Sequence, residues 1–78
     1  MNKYYHRIVD VGKNEILNYY YRWRLDGILC ISIGIKGIKS AIFYIDQVQF
    51  NNMKIELNEI EEKKFNKAKE EVKQLIDI

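Results

Sequence analysis

The chain has 78 residues, 47% hydrophobic and 31% charged, with no proline, one cysteine and a net charge of +2. That length suits one domain, which buries roughly 60% of its unfolded surface, and no second module with its own activity is expected. A single thiol excludes an intramolecular disulfide and fits a reducing, cytoplasmic setting, and so small a charge does not by itself imply a nucleic-acid partner.

Up to about residue 57, apolar side chains alternate with a period of two, the pattern of half-buried strands. Residues 4–11 are expected to form a first strand, starting from a polar segment without the apolar stretch of a signal peptide. A turn follows around Gly12, Lys13 and Asn14. The clearest alternation runs over residues 16–25, with Leu17, Tyr19, Tyr21, Trp23 and Leu25 on one face and Asn18, Tyr20, Arg22 and Arg24 on the other. Asp26-Gly27 suits the positive φ angles of a two-residue hairpin turn. The return strand, residues 28–35, sets Leu29, Ile31, Ile33 and Ile35 on one continuous face. Lys36-Gly37 is the expected second turn, and residues 38–50 are read as one strand with a bulge at Asp46. Asn51-Asn52 reads as a third turn, because Asn tolerates left-handed backbone, and residues 53–57 as a short last strand. Lys36 and Lys39 interrupt the long apolar stretch 28–45. Each costs about 2.5–3.5 kcal/mol inside a bilayer, so a soluble hairpin is the better account of that stretch and no membrane association is expected.

The period becomes helical at Asn58, a good N-cap with Glu61 three residues on. Glu59, Glu61 and Glu62 favour the positive end of the helix dipole. Ile60, Phe65, Ala68, Val72, Leu75 and Ile76 form an apolar stripe over a helix of about residues 59–77. The expected fold is therefore α+β: a four- to five-stranded antiparallel β-meander with this helix packed on one face. Tyr19, Tyr21 and Trp23 are expected beneath it. One helix does not cover both faces, so Ile28, Cys30, Ile42 and Tyr44 are expected to line a second apolar surface suited to a homodimer or a protein partner.

No residue set suggests catalysis, a metal or a cofactor. His6 is the only histidine, and a zinc site needs further His or Cys ligands. Cys30 lies between Leu29 and Ile31 without an activating base, which predicts a small core residue. The pairs Glu61-Glu62 and Glu70-Glu71 fall among lysines on the solvent face. Gly34-Ile35-Lys36-Gly37 is similar to the Gly-x-x-Gly loop of KH RNA-binding domains, but it follows a strand where that family has a helix, so a hairpin turn is expected.

Function is therefore sought on surfaces. Residues 1–45 carry seven bases against three acids, and residues 46–78 six against eight, so the sheet is mildly basic and the tail mildly acidic. Tyr20, Arg22 and Arg24, joined by Tyr5 and Arg7, are the expected partner-binding residues. Tyr and Arg are enriched in protein–protein hot spots, and aromatics beside arginines also hold single-stranded nucleic acid.

In its compactness, its Ile-, Lys- and Asn-rich composition and its lack of a site of its own, the chain resembles the small phage or mobile-element inhibitors of host defence, anti-CRISPR proteins among them. The resemblance is one of class and covers no particular motif. It implies a non-catalytic inhibitor whose partner is a host enzyme or nuclease complex. The alternative is a small nucleic-acid-binding module using a basic, aromatic sheet face.

Overall fold

A computed structural model describes residues 2–12, 15–34, 40–53 and 56–76. The fold is α+β, with β1 (Lys3–Gly12), β2 (Glu15–Arg24), β3 (Gly27–Ile33), β4 (Ala41–Ile45), α1 (Gln47–Asn52), β5 (Asn58–Ile60) and α2 (Glu62–Ile76) in chain order. The strands form one antiparallel sheet in the order β4-β3-β2-β1-β5.

The first four strands make the expected meander, and the fifth departs from it. β5 lies on the far side of β1, where Tyr4, Tyr5 and His6 pair with Ile60, Glu59 and Asn58. The chain must therefore travel from one edge of the sheet to the other, and α1 packs against the sheet on the way. Residues 46–50 were expected to be strand because Val48 and Phe50 alternate. Two apolar residues fit either period, and the cap decides: Asp46 Oδ1 accepts from the Gln49 N–H at 2.7 Å. Asp46 is thus an N-cap where a bulge was expected, and Asn51 and Asn52 end the helix where a turn was expected. Asn58 is likewise a strand residue, because the outer edge of β1 pairs with it. Helix α2 begins three to four residues later than the stripe suggests, with the Glu61 carbonyl accepting from the Lys64 and Phe65 N–H groups.

The β2–β3 hairpin turns on Leu25-Asp26, one residue before the expected site, since Arg24 pairs with Gly27. At the end of β1, Gly12 takes φ 89° beside a register shift, and its N–H donates to Asp10 Oδ1 at 2.9 Å. The expected turn residues Lys13 and Asn14, the Lys36-Gly37 turn, and residues 54–55 of the expected short strand lie outside the described residues, and Met53, Glu56 and Leu57 are not in a strand.

Two layers cover the sheet. On one face Phe65, Ala68 and Val72 of α2 are buried at i, i+3, i+7 spacing, and Phe65 and Val72 pack with Tyr4, Leu29 and Ile31. The Phe65 ring lies 5.3 Å from that of Tyr4. On the other face Phe50 of α1 covers Tyr21, Ile28 and Cys30, with ring distances of 5.5 Å to Tyr5 and 6.1 Å to Tyr21. Tyr19, Tyr21 and Trp23 therefore lie on the α1 face and not beneath the C-terminal helix. The expected second apolar surface is not a single surface. Ile28 and Cys30 are buried on the α1 face, and the cross-strand pairs set Ile42 beside Ile31 and Tyr44 beside Leu29 on the α2 face.

Candidate partner-binding surfaces

Residues directly opposite in an antiparallel pair share a face. Tyr20 is paired with His6 and Arg22 with Tyr4, whereas Tyr5 faces Tyr21 and Arg7 faces Tyr19. The five expected site residues are thus divided: Tyr20, Arg22 and Arg24 lie on the α2 face, Tyr5 and Arg7 on the α1 face. Tyr20 is half-buried against the α2 cluster, and Arg22 is half-buried with its Nε enclosed and without an acceptor. Arg24, at the end of β2, is exposed.

On the α2 face a cleft of about 310 Å³ lies between the sheet and the helix, bordered by His6, Tyr20, Lys64, Lys67 and Glu71. The His6 and Tyr20 rings stack at 4.6 Å. His6 Nε2–H donates to Asn18 Oδ1 at 2.9 Å, which fixes the ring. Burial, and then the charge of Glu71, raise the Tyr20 hydroxyl above its ordinary pKa, so it stays a donor at neutral pH.

On the α1 face Arg7 Nη1 donates to Glu56 Oε2 at 3.0 Å, and the guanidinium lies over the Tyr19 ring at 5.0 Å. Burial opposes its charge, but the Glu56 hydrogen bond and the neighbouring Tyr21 outweigh this and raise its pKa. The Cys30 thiol is pushed up to about 12 by burial, and Tyr21 likewise to about 12, burial being the largest cause for each. Cys30 is therefore a protonated thiol at neutral pH, and nucleophilic chemistry needs the thiolate. Among the described residues no three His, Cys, Asp or Glu side chains are grouped to hold a metal, and no helix is long and apolar enough to cross a membrane.

A further surface lies at the β4 edge, where the expected apolar residues Ile42 and Tyr44 are joined by Phe43. β4 is an outer strand of the sheet, and its five residues, Ala41-Ile42-Phe43-Tyr44-Ile45, carry no charge. Phe43 is 39% exposed on the α1 face and Tyr44 70% on the α2 face. Leu25, at the hairpin tip, is 95% exposed and shares a cleft with Ile45 and Gln47. An edge strand presents unpaired N–H and C=O groups, and natural proteins usually protect one with charges, prolines or bulges. The absence of charge between Lys39 and Asp46 was readable in the sequence, but the strand's place at the edge was not. No family model matches the chain, and no curated protein or solved structure matches it significantly.

Proposed function

We propose that the protein is a non-catalytic protein-binding domain that engages an extended segment of its partner by strand addition along β4. The observation that carries this reading is the uncharged edge strand with Phe43 and Tyr44 exposed on its two faces. In strand addition the main-chain hydrogen bonds supply affinity and alternate side chains supply specificity. Phe43 and Tyr44 would read alternate partner residues on the two faces. Leu25 extends the apolar surface at the hairpin end, and Arg24 supplies a cation at its rim, since its pairing partner Gly27 lies against the Tyr44 ring. A domain of this kind acts as a cytoplasmic inhibitor by occupying a host enzyme's surface, the class that its composition resembles.

The test pairs affinity capture with urea unfolding of Phe43→Lys, Tyr44→Lys and the double variant. A partner held by the wild type and lost by the double variant, at an unchanged unfolding midpoint, supports the edge. A partner retained by the double variant and lost with Arg24→Glu moves the interface onto the α2 face.

A second reading, binding of single-stranded nucleic acid, is favoured by the stacked His6 and Tyr20 rings beside Lys64 and Lys67. Counterion release distinguishes it: binding to random oligonucleotides would weaken steeply with salt, and Lys64→Glu with Lys67→Glu would abolish it.

A further inference from the structure

We propose that a second copy of the chain covers the β4 edge when no other partner holds it, the two β4 strands pairing antiparallel about a two-fold axis at Phe43. The inference rests on the reading of β4 as the binding edge and names an occupant that competes for it. Three observations carry it.

First, the two outer strands of the sheet differ in what each offers to a copy of itself. All five residues of β4 are neutral, so an antiparallel copy sets no like charges opposite one another. β5 has three residues with Glu59 at its centre, and a two-fold axis there would set Glu59 against its own copy, which is destabilising. Joining β4 of one copy to β5 of the next would pair at most three residues and leave an open chain. Pairing β4 with β4 closes at two copies.

Second, the strand's length selects the register. An axis at Phe43 pairs all five residues, and an axis at any neighbour pairs fewer. Phe43 then faces its own copy, Ile42 faces Tyr44, and Ala41 faces Ile45. Opposite residues share a face. On the α1 face the two Phe43 rings, each 39% exposed, meet each other. On the α2 face Tyr44, 70% exposed, lies beside Ile42 of the copy. Third, Lys39 precedes β4 in the sequence and Asp46 follows it. Antiparallel pairing brings the basic end of one strand to the acidic end of the other, and parallel pairing would bring like to like.

Five paired residues bury less than the roughly 1,200 Å² of a standard interface, so the dimer is weak and exchanges readily. Each β4 edge in it has spent the N–H and C=O groups that another strand would use. Copy and partner therefore exclude one another, and self-association regulates access to the edge.

The experiment measures self-association by analytical ultracentrifugation up to about 1 mM protein. The wild type should dimerise with a Kd between about 1 μM and 1 mM. Phe43→Lys and Phe43→Glu, each alone, set two like charges at the axis and should stay monomeric. Their equimolar mixture sets lysine opposite glutamate and should associate at least about threefold more tightly than either variant alone. A mixture of Tyr44→Lys and Tyr44→Glu should show no such gain, because Tyr44 faces Ile42 and not itself. Urea midpoints establish that each variant is folded. Should one fail to fold, the wild type decides: alternate β4 amides should exchange more slowly with deuterium at about 1 mM than at a hundredfold dilution. A wild type that is monomeric at about 1 mM, association that survives both Phe43 variants, a mixture no tighter than its components, or β4 exchange that ignores concentration would each overturn the proposal. A monomeric wild type whose partner is still lost with the double Phe43→Lys, Tyr44→Lys variant would remove the dimer and leave the edge reading standing. A β4 dimer whose partner survives that variant would do the reverse.

Discussion

Replacing Phe50 with alanine and, separately, Val48 with alanine tests the covering of the α1 face. In a strand, residues two apart share a face, so both substitutions would cost similar amounts. In α1 they are about 200° apart around the helix axis: Phe50 is 3% exposed and Val48 68%. Phe50 packs on Tyr21, Ile28 and Cys30, and a Phe→Ala change in such a core costs about 3–5 kcal/mol. A chain of this length is stable by about 4–12 kcal/mol in total, so the loss is a quarter or more of it. With a urea m-value of about 1 kcal/mol/M the midpoint should fall by about 3–5 M, or the protein should be unfolded in water. Val48→Ala should change stability by less than about 0.5 kcal/mol, since it removes exposed surface and gains helix propensity. Urea unfolding followed by Trp23 fluorescence and far-ultraviolet circular dichroism measures both. Equal losses, or a Phe50→Ala cost below about 1 kcal/mol, would refute α1 as the cover of this face.

Two further outcomes are expected. Cys30 and Tyr21 have folded pKa values raised to about 12, above unfolded values of about 8.5 and 10. The folded state therefore holds more protons between those values, and stability is intact below about pH 8.5 and falls as pH rises toward 12, by at most about 1.4 kcal/mol per pH unit for each group. Urea midpoints from pH 7 to 11 test this, and Cys30→Ala should remove the earlier part of the decline; a wild-type midpoint that stays flat would contradict it. Gly12→Ala should cost about 1–2 kcal/mol because φ 89° is left-handed backbone. Gly27→Ala should be neutral to mildly stabilising, since an added Cβ meets only Tyr44 at 3.8 Å and φ is not left-handed. The reverse order of midpoints would restore the turn expected at Asp26-Gly27.

The α+β class, the first four strands and the amphipathic stripe of α2 were readable in the sequence, because each follows from a local period and a length. Phe65, Ala68 and Val72 fall on the buried side of α2 by spacing alone, and the alternation of β2 correctly separates Tyr19, Tyr21 and Trp23 from Tyr20 and Arg22. Which of those two sets meets α2 was not readable. Both faces of β2 carry aromatics, so side-chain type does not say which one the helix will cover. That choice, with the placement of β5 beside β1, required the path of the chain from β4 through α1. It also divided the expected site, since Tyr5 and Arg7 join Tyr20 and Arg22 only under a register that the β1–β2 pairing does not have. The sequence by itself determined the periods, the neutral run of β4 and the single thiol within an apolar stretch, all of which are properties of neighbours along the chain. Only the tertiary structure decided that β4 lies at an edge, that Phe50 closes the second face and that the Arg7 guanidinium lies over the Tyr19 ring, because each depends on pairing between residues far apart in sequence.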